Sequence, residues 1–597
     1  MLKLNSYELR KIMKPARYVG NEYNQILKNK QDINIRFAMC FPDIYDIGMS
    51  NLGIKILYDI LNKRKDTWCE RVFAPWKDYE ELMRKRKVKL YGLESKDYID
   101  TFDFIGFTLQ YEMSYTNILN MLDLSNIPVY SKDRQIRFPF VIAGGPCAVN
   151  PYPLSPFVDI FVIGEAEEVI NILMDKYDEW KKEKLPKREY LESIKDIQGV
   201  FIPSIHSKDD KIQKVVIKDL NNVDYPLNPI VPSTEITQDR ISLEVFRGCS
   251  RGCRFCQAGY IYRPVREKSV DKLLEIASCN IQSTGHNEIS LASLSTSDYS
   301  DFTQLADRLL KFGENKKVSL SLPSLRIDSI NLDIIKKVQA VRKSSLTFAP
   351  EAGTQRLRDV INKNITEEEI LESAKLAFEN GYTNLKLYFM IGLPTEDYTD
   401  INGIVELCNK IVDEYYKLPE GKRKGKCMLT VSTSTFVPKS HTPFQWCPQA
   451  SLDKIELKQQ FLKDKLGKKN IKYSWHDSSV SRLEALIARG DERIGRVIYS
   501  AWRLGAKFDS WDECFNATAW DKALEKENIN IEDYINKTYD LNQEFCWDNI
   551  FCGVDKEFLK REYIKALEEK TTPKCSLSCS SCGVTKIAKC NFLELSR

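Results

Sequence analysis

Ten consecutive residues constrain this chain more than any others. Arg247-Gly248-Cys249-Ser250-Arg251-Gly252-Cys253-Arg254-Phe255-Cys256 sets three cysteines at C-x3-C-x2-C spacing directly after the apolar run 241–246. Three thiolates on one short loop suit three irons of a cubane cluster and leave its fourth iron open. Iron–sulfur clusters are ordinarily held by four cysteines. A loop that supplies three is built to admit another ligand, as a catalytic metal site keeps an open position. The competing reading is a zinc loop. Zinc sites add a second Cys or His pair at short spacing, and the next candidates, Cys279 and His286, stand in a segment without it.

The rest of the chain must carry that loop at the end of a strand. Its 597 residues suffice for about three or four domains. Charge is dense but balanced, at net +4, which neither demands nor excludes a nucleic-acid partner. The 17 cysteines are an odd number spread through a long chain. Disulfide scaffolds belong to small secreted domains, so a reducing, cytoplasmic setting is expected. Residues 1–14 are charged and lack a signal-peptide core. No apolar run approaches the ~20 residues of a membrane span.

Residues 1–34 read as a charged helical lead-in. From Ile35 short apolar runs (36–41, 104–107, 140–143, 160–163) alternate with helix-like stretches, one starting near Ser50. That alternation predicts a doubly wound parallel sheet over 35–190. Ligands of such sheets bind beyond the strand carboxyl ends, where glycines cluster: Gly144-Gly145-Pro146 and Gly164-Glu165. No G-x-G-x-x-G follows the first strand, which argues against a nicotinamide cofactor. Prolines 203, 226, 229 and 232 mark a linker over 191–237. Strands at 288–292, 317–322, 345–349, 384–390 and 428–433, with helices at 301–312, 331–341 and 367–380, predict a full or partial βα barrel over 238–450. Residues 451–570 read as mainly helical, with Ser481-Arg482-Leu483-Glu484 as a capping box. A Cys-rich tail, 571–597, follows.

These segments together resemble a cobalamin-binding radical SAM protein, of a bacterial family without an assigned activity. The resemblance is carried by Tyr45-Asp46-Ile47-Gly48-Met49-Ser50-Asn51-Leu52-Gly53, Ala143-Gly144-Gly145-Pro146-Cys147, Phe161-Val162-Ile163-Gly164-Glu165, the three-cysteine loop continuing through Gln257 to Pro264, Phe348-Ala349-Pro350-Glu351-Ala352-Gly353-Thr354, and Gly490-Asp491-Glu492-Arg493. It implies a Rossmann-like cobalamin domain ahead of a partial radical SAM barrel. Cys249, Cys253 and Cys256 would hold a [4Fe-4S] cluster whose open iron chelates S-adenosylmethionine (SAM). Asp46, Gly48, Ser50, Gly144, Gly145, Gly164 and Glu165 are implied around cobalamin. Phe255, Ser293, Ser324, Arg326 and Glu351 are implied around SAM, with Arg326 suited to a carboxylate because its fork matches two oxygens. Many cobalamin domains supply a lower cobalt ligand from a D-x-H-x-x-G motif. Here the first of four histidines is His206, so no histidine of this domain can serve.

Cys575, Cys579 and Cys582 repeat the C-x3-C-x2-C spacing, and Cys590 adds a fourth thiol. A second cluster, a structural zinc and plain thiols all fit that pattern. Three activities are compatible with the chain: cobalamin-dependent methylation of an unactivated carbon, a radical rearrangement or cyclisation without net methylation, and modification of RNA or protein. Arg482, Arg489, Arg493, Arg496 and Arg503 would face the polyanion, although Glu484, Asp491 and Glu492 interleave with them. Each activity implies an electron donor such as flavodoxin or ferredoxin. His441, His476, Trp446 and Tyr260 are further candidate pocket residues.

Overall fold

The computed structural model describes residues 6–134, 136–322, 346–467 and 469–590. Its N-terminal sheet contains β1 (Ile35–Phe41), β2 (Thr67–Phe73), β3 (Phe104–Thr108), β4 (Phe140–Gly144), β5 (Ile160–Val162) and β6 (Val200–Phe201), in the order β2-β1-β3-β4-β5-β6. The first five run parallel and β6 closes the edge antiparallel. Helices cover both faces, so β1 and β2 are buried almost throughout; β1 is apolar apart from Arg36, whereas β2 also buries Glu70 and Arg71. Strand order reverses between β1 and β3, the switch point at which such sheets open a crevice. The helix Leu52–Lys63 begins there, its N-terminus fixed by Asn51 Oδ1, which accepts from the Ile54 amide at 3.1 Å. The sheet thus reaches Phe201, beyond residue 190.

Two arcs of parallel strands follow. The first joins β7 (Ile241–Glu244), β8 (Glu288–Ala292) and β9 (Ser319–Ser321). The second joins β10 (Leu346–Glu351), β11 (Asn384–Ile391), β12 (Met428–Thr435) and β13 (Ile471–Trp475). This is the partial βα barrel expected, extended past residue 450 by β13. Its helices start at side-chain caps: Ser269 before Val270–Thr284, and full capping boxes of Thr366 with Glu369 and of Asp397 with Asp400. The helix expected at 331–341 lies outside the described residues.

Two local expectations are corrected. Ser481 is not an N-cap: the helix Ser478–Ala488 starts earlier, at Asp477, whose carboxylate accepts from Ser479 and Val480. The lead-in is mostly irregular, with one short helix, Ser6–Leu9. Its charges are spent on tertiary pairs instead: Arg17 and Lys14 bind Asp46, and Glu22 binds the buried Arg71 at 2.6 Å.

One hydrophobic core runs through the sheet, the first arc and the C-terminal helices, while the second arc has its own. The helix Glu492–Arg503 packs on Tyr115–Leu124, and Gly495 is required where an added Cβ would meet the Pro153 carbonyl at 2.9 Å. The Gly490-Asp491 corner is tied by Asn150, whose amide donates to the carbonyls of Ala488 and Gly490. His441 bridges barrel and sheet domain, its Nε2 lying 3.0 Å from the Val149 carbonyl. Burial drives the His441 pKa down to about 4, against the small upward pull of that contact. An unfolded chain protonates this histidine near 6.5, so the folded state should lose stability as pH falls from 6.5 toward 4. The loss is on the order of 3 kcal/mol. Denaturant melts of His441→Gln should lack that part of the acid dependence.

Candidate functional site

A cavity of about 410 Å³ lies beyond the carboxyl ends of β1, β3, β4 and β5 and extends to the strand that leads into the cysteine loop. Met39, Thr108, Gly144, Gly145 and Gly164 line it on the sheet side, with Leu52, Ile56 and Leu57 of the first helix. Phe246, Arg247, Gly248, Tyr262 and Ser293 line it on the barrel side. The walls are mostly apolar, and no histidine is among the lining residues. Gly145 and Gly164 have φ of +116° and +101°. An added Cβ would meet the carbonyls of Leu109 at 2.8 Å and Val215 at 2.3 Å. These glycines are fixed by neighbouring backbone, which in turn keeps the cavity floor free of side chains.

Charge concentrates at the junction of the two domains. Arg247 Nε donates to Glu244 Oε1 at 2.8 Å, Nη2 lies 2.5 Å from Glu167 and Nη1 3.7 Å from Glu165. Glu165 also accepts from Arg266 at 2.6 Å, and Lys268 pairs with Glu244 at 2.7 Å. Burial alone would raise the Glu244 pKa; Arg247 and Lys268 outweigh it and hold the carboxyl at about 2. Residues 165 and 167 belong to the sheet domain and 244, 247, 266 and 268 to the barrel, so the network locks one to the other.

The cysteine loop is held by arginines. Arg251 forms a two-pronged pair with Asp298, at 2.8 and 2.5 Å. Arg254, fully buried, donates to the carbonyls of Asp359, Val360 and Lys570 and pairs with Glu562 at 3.1 Å. Burial, with Cys253 beside both thiols, raises Cys249 to about 11 and Cys256 to about 12. Amides of Arg251 and Gly259 donate toward these two sulfurs, and Lys363 bears on Cys256 from the barrel. Iron binding would displace the thiol protons, and the donors and cation suit the thiolates that result. Among the described residues no three His, Cys, Asp or Glu side chains converge on a point to enclose a single metal ion. A cubane takes one thiolate per iron, and three thiolates on one loop suit that arrangement.

Several expected residues meet here. Ser293 lines the cavity and shares a hydrogen bond with Thr296 at 3.0 Å. Glu351, at the end of β10 with φ +67°, pairs with Lys363 at 3.1 Å and so stands one side chain from Cys256. Phe255 packs half-buried among residues that include Met390, Leu393 and Phe436. Ser324 and Arg326 lie outside the described residues.

Others are used elsewhere. Asp46 does not line the cavity: its carboxylate is taken by Arg17 at 2.6 Å and Lys14 at 2.7 Å. Burial raises its pKa, but these two cations win and hold it low. Gly48 abuts the Phe73 ring, where a Cβ would sit at 2.3 Å, and Ser50 Oγ donates to the Asp46 carbonyl. Among the C-terminal arginines, Arg489 is buried against the carbonyls of Cys447 and Ile535, while Arg482 pairs with Glu532 and Arg493 with Asp491. Arg496 stands 3.9 Å from Glu527. Trp446 and Tyr260 are core residues, and His476 accepts no role in the cavity lining. Sequence reading gave no role to Arg247 and Arg263, although both flank the cysteine loop, and missed the trio Glu112–Lys439–Glu484 at 2.7 Å each.

Fold and site define a class: a doubly wound ligand-binding sheet joined to an open βα barrel whose first strand delivers a three-cysteine loop. The family description "Radical SAM proteins, N-terminal" matches residues 53–203, and "Radical SAM superfamily" matches residues 243–408, together more than half of the chain. The chain belongs to the radical SAM superfamily. An uncharacterized protein of Methanocaldococcus jannaschii is 29% identical over 86% of this chain and 98% of its own length. A tRNA-2-methylthio-N(6)-dimethylallyladenosine synthase of Pelagibacter ubique is 24% identical over 55% of this chain and 74% of its own. Among solved structures, the cobalamin-dependent S-adenosylmethionine radical enzyme OxsB, with aqua-cobalamin and S-adenosylmethionine bound, is 13% identical, covering 89% of this chain and 79% of that one at TM-score 0.47. Among the described residues no helix is long and apolar enough to cross a membrane.

Removing the shared cation should be costly. Arg247→Met strips three carboxylates at the junction of their common partner, and an uncompensated buried charge costs about 3–5 kcal/mol. Urea melts should register that loss in the wild-type background.

Proposed function

We propose that the protein is a cobalamin-dependent radical SAM methyltransferase acting on an unactivated carbon. The observation that carries this reading is one continuous cavity running from the glycine-floored edge of the sheet to the residue before Cys249. A flat, largely apolar macrocycle suits its apolar walls and bare floor. The histidine-free lining means that cobalt would receive no imidazole from this cavity. When bound, the cluster and SAM supply a 5′-deoxyadenosyl radical, and cobalamin supplies a transferable methyl group.

The chain's own residues bind, orient and exclude water. Cys249, Cys253 and Cys256 hold the cluster, Ser293 and Glu351 flank SAM, and Phe255 offers an aromatic face. Gly144, Gly145 and Gly164 floor the cobalamin site, with Glu165 committed to holding its rim. A one-electron donor such as flavodoxin or ferredoxin would start each turnover. Arg482, Arg489 and Arg493 are engaged within the chain, which supports a small molecule or peptide over RNA as the substrate class.

Anaerobically reconstituted protein, given reductant, cobalamin and SAM, should release 5′-deoxyadenosine, and Cys256→Ala should reduce release to background. No cleavage by cluster-loaded wild type would sink the reading. With substrate, S-adenosylhomocysteine should form in step with methylated product; product without it would point to rearrangement or cyclisation. Leu57→Trp, which fills the cavity, should weaken cobalamin binding roughly tenfold or more while leaving cluster loading intact.

A further inference from the structure

The chain's last described segment folds back onto the first cysteine loop. The Cys575 amide donates to the Ser250 carbonyl at 2.8 Å, so the second C-x3-C-x2-C begins one residue from Cys249 in space. Glu562 and the Lys570 carbonyl meet Arg254 from the same side, and Asn362 links the Gly252 carbonyl to the Thr572 amide. Cys582 and Cys590 pack on one apolar patch with Tyr260, which belongs to the helix directly after Cys256. The two cysteine motifs are therefore neighbours.

Between them lies a cation that the first loop does not use up. Arg263 is 3% exposed. Its Nε donates to the Gly259 carbonyl at 3.0 Å and its Nη2 to the Arg251 carbonyl at 3.2 Å. Its Nη1 is buried with no hydrogen-bond partner. Cys575 and Cys582 lie within charge range of the guanidinium. Cys575 in turn feels both Cys579 and Cys582, and the Ser581 amide donates to the Cys579 sulfur at 3.5 Å. Left-handed turns at Ser581 (φ +53°) and Gly583 (φ +95°) bend the chain around Cys582. A buried guanidinium with an idle donor is expensive unless an anion completes it. Thiolates on a metal centre are such an anion.

We propose that Cys575, Cys579 and Cys582 hold a second iron–sulfur cluster, seated against the first cysteine loop, with Arg263 as the buried cation between the two. Cys590 brings a fourth thiol to the same patch.

Metal and sulfide analysis of the full-length chain, reconstituted anaerobically with iron and sulfide, tests this. Two cubanes predict about eight irons per chain, falling to about four in Cys249→Ala/Cys253→Ala/Cys256→Ala and to about four in Cys575→Ser/Cys579→Ser/Cys582→Ser. Cys579→Ser alone, at an exposed position, guards against misfolding of the triple variant and should also lower iron. About four irons in the wild type, all lost with the first triple variant, would overturn the proposal. So would about one zinc per chain that the tail substitutions remove. Iron that vanishes only with the tail substitutions would instead refute the first cluster, so the two readings fail separately.

Discussion

Arg247 is the point at which two domains become one protein. Its guanidinium gathers carboxylates from the sheet domain and from the first barrel strand, one residue before the glycine that turns the chain into the cysteine loop. Charges this deep are tolerable only when every partner is present. The position of the loop relative to the sheet edge is therefore fixed by ion pairing, whereas the hydrophobic core beneath it sets only that the domains touch. The cavity inherits its shape from that lock, because Arg247 is also part of its wall.

Local pattern and tertiary pairing divide what could be read in advance. The strands β1, β3, β4 and β5 announce themselves as apolar runs, which β2 with its buried Glu70 and Arg71 does not, and the cysteine spacing is chemistry written in consecutive residues. Both were legible. Asp46, Gly48 and Ser50 looked like a ligand loop because their partners are distant in sequence: the cations on Asp46 come from a lead-in 29 and 32 residues away. The glycines of the strand ends line the cavity, but the space they leave open has a backbone cause. Their freedom from Cβ serves the carbonyls of Leu109 and Val215, and the open floor is a by-product. The cap at Asp477 was missed since Ser481 offers a capping residue four positions later, inside the helix that Asp477 had already begun.

Arginine proves to be the structural counterpart of cysteine in this chain. Arg251, Arg254 and Arg263 each tie the metal-ligand loop to a different part of the molecule: the β8–helix turn, the second arc with the C-terminal helix Lys556–Leu567, and the tail. None of these partners is local, so nothing in the motif itself reveals them. A thiolate-rich centre is anionic, and buried guanidinium groups both balance that charge and fix the backbone that carries it.

The return of the tail to the first loop has a consequence for biosynthesis. The carbonyl of Ser250 and part of the Arg254 guanidinium find their partners in residues beyond 560. A ribosome releases the cysteine loop more than three hundred residues before those partners emerge. During that interval the thiols stand in a pocket that residues 562–575 have yet to close. A product terminated before them would carry the full motif without that enclosure.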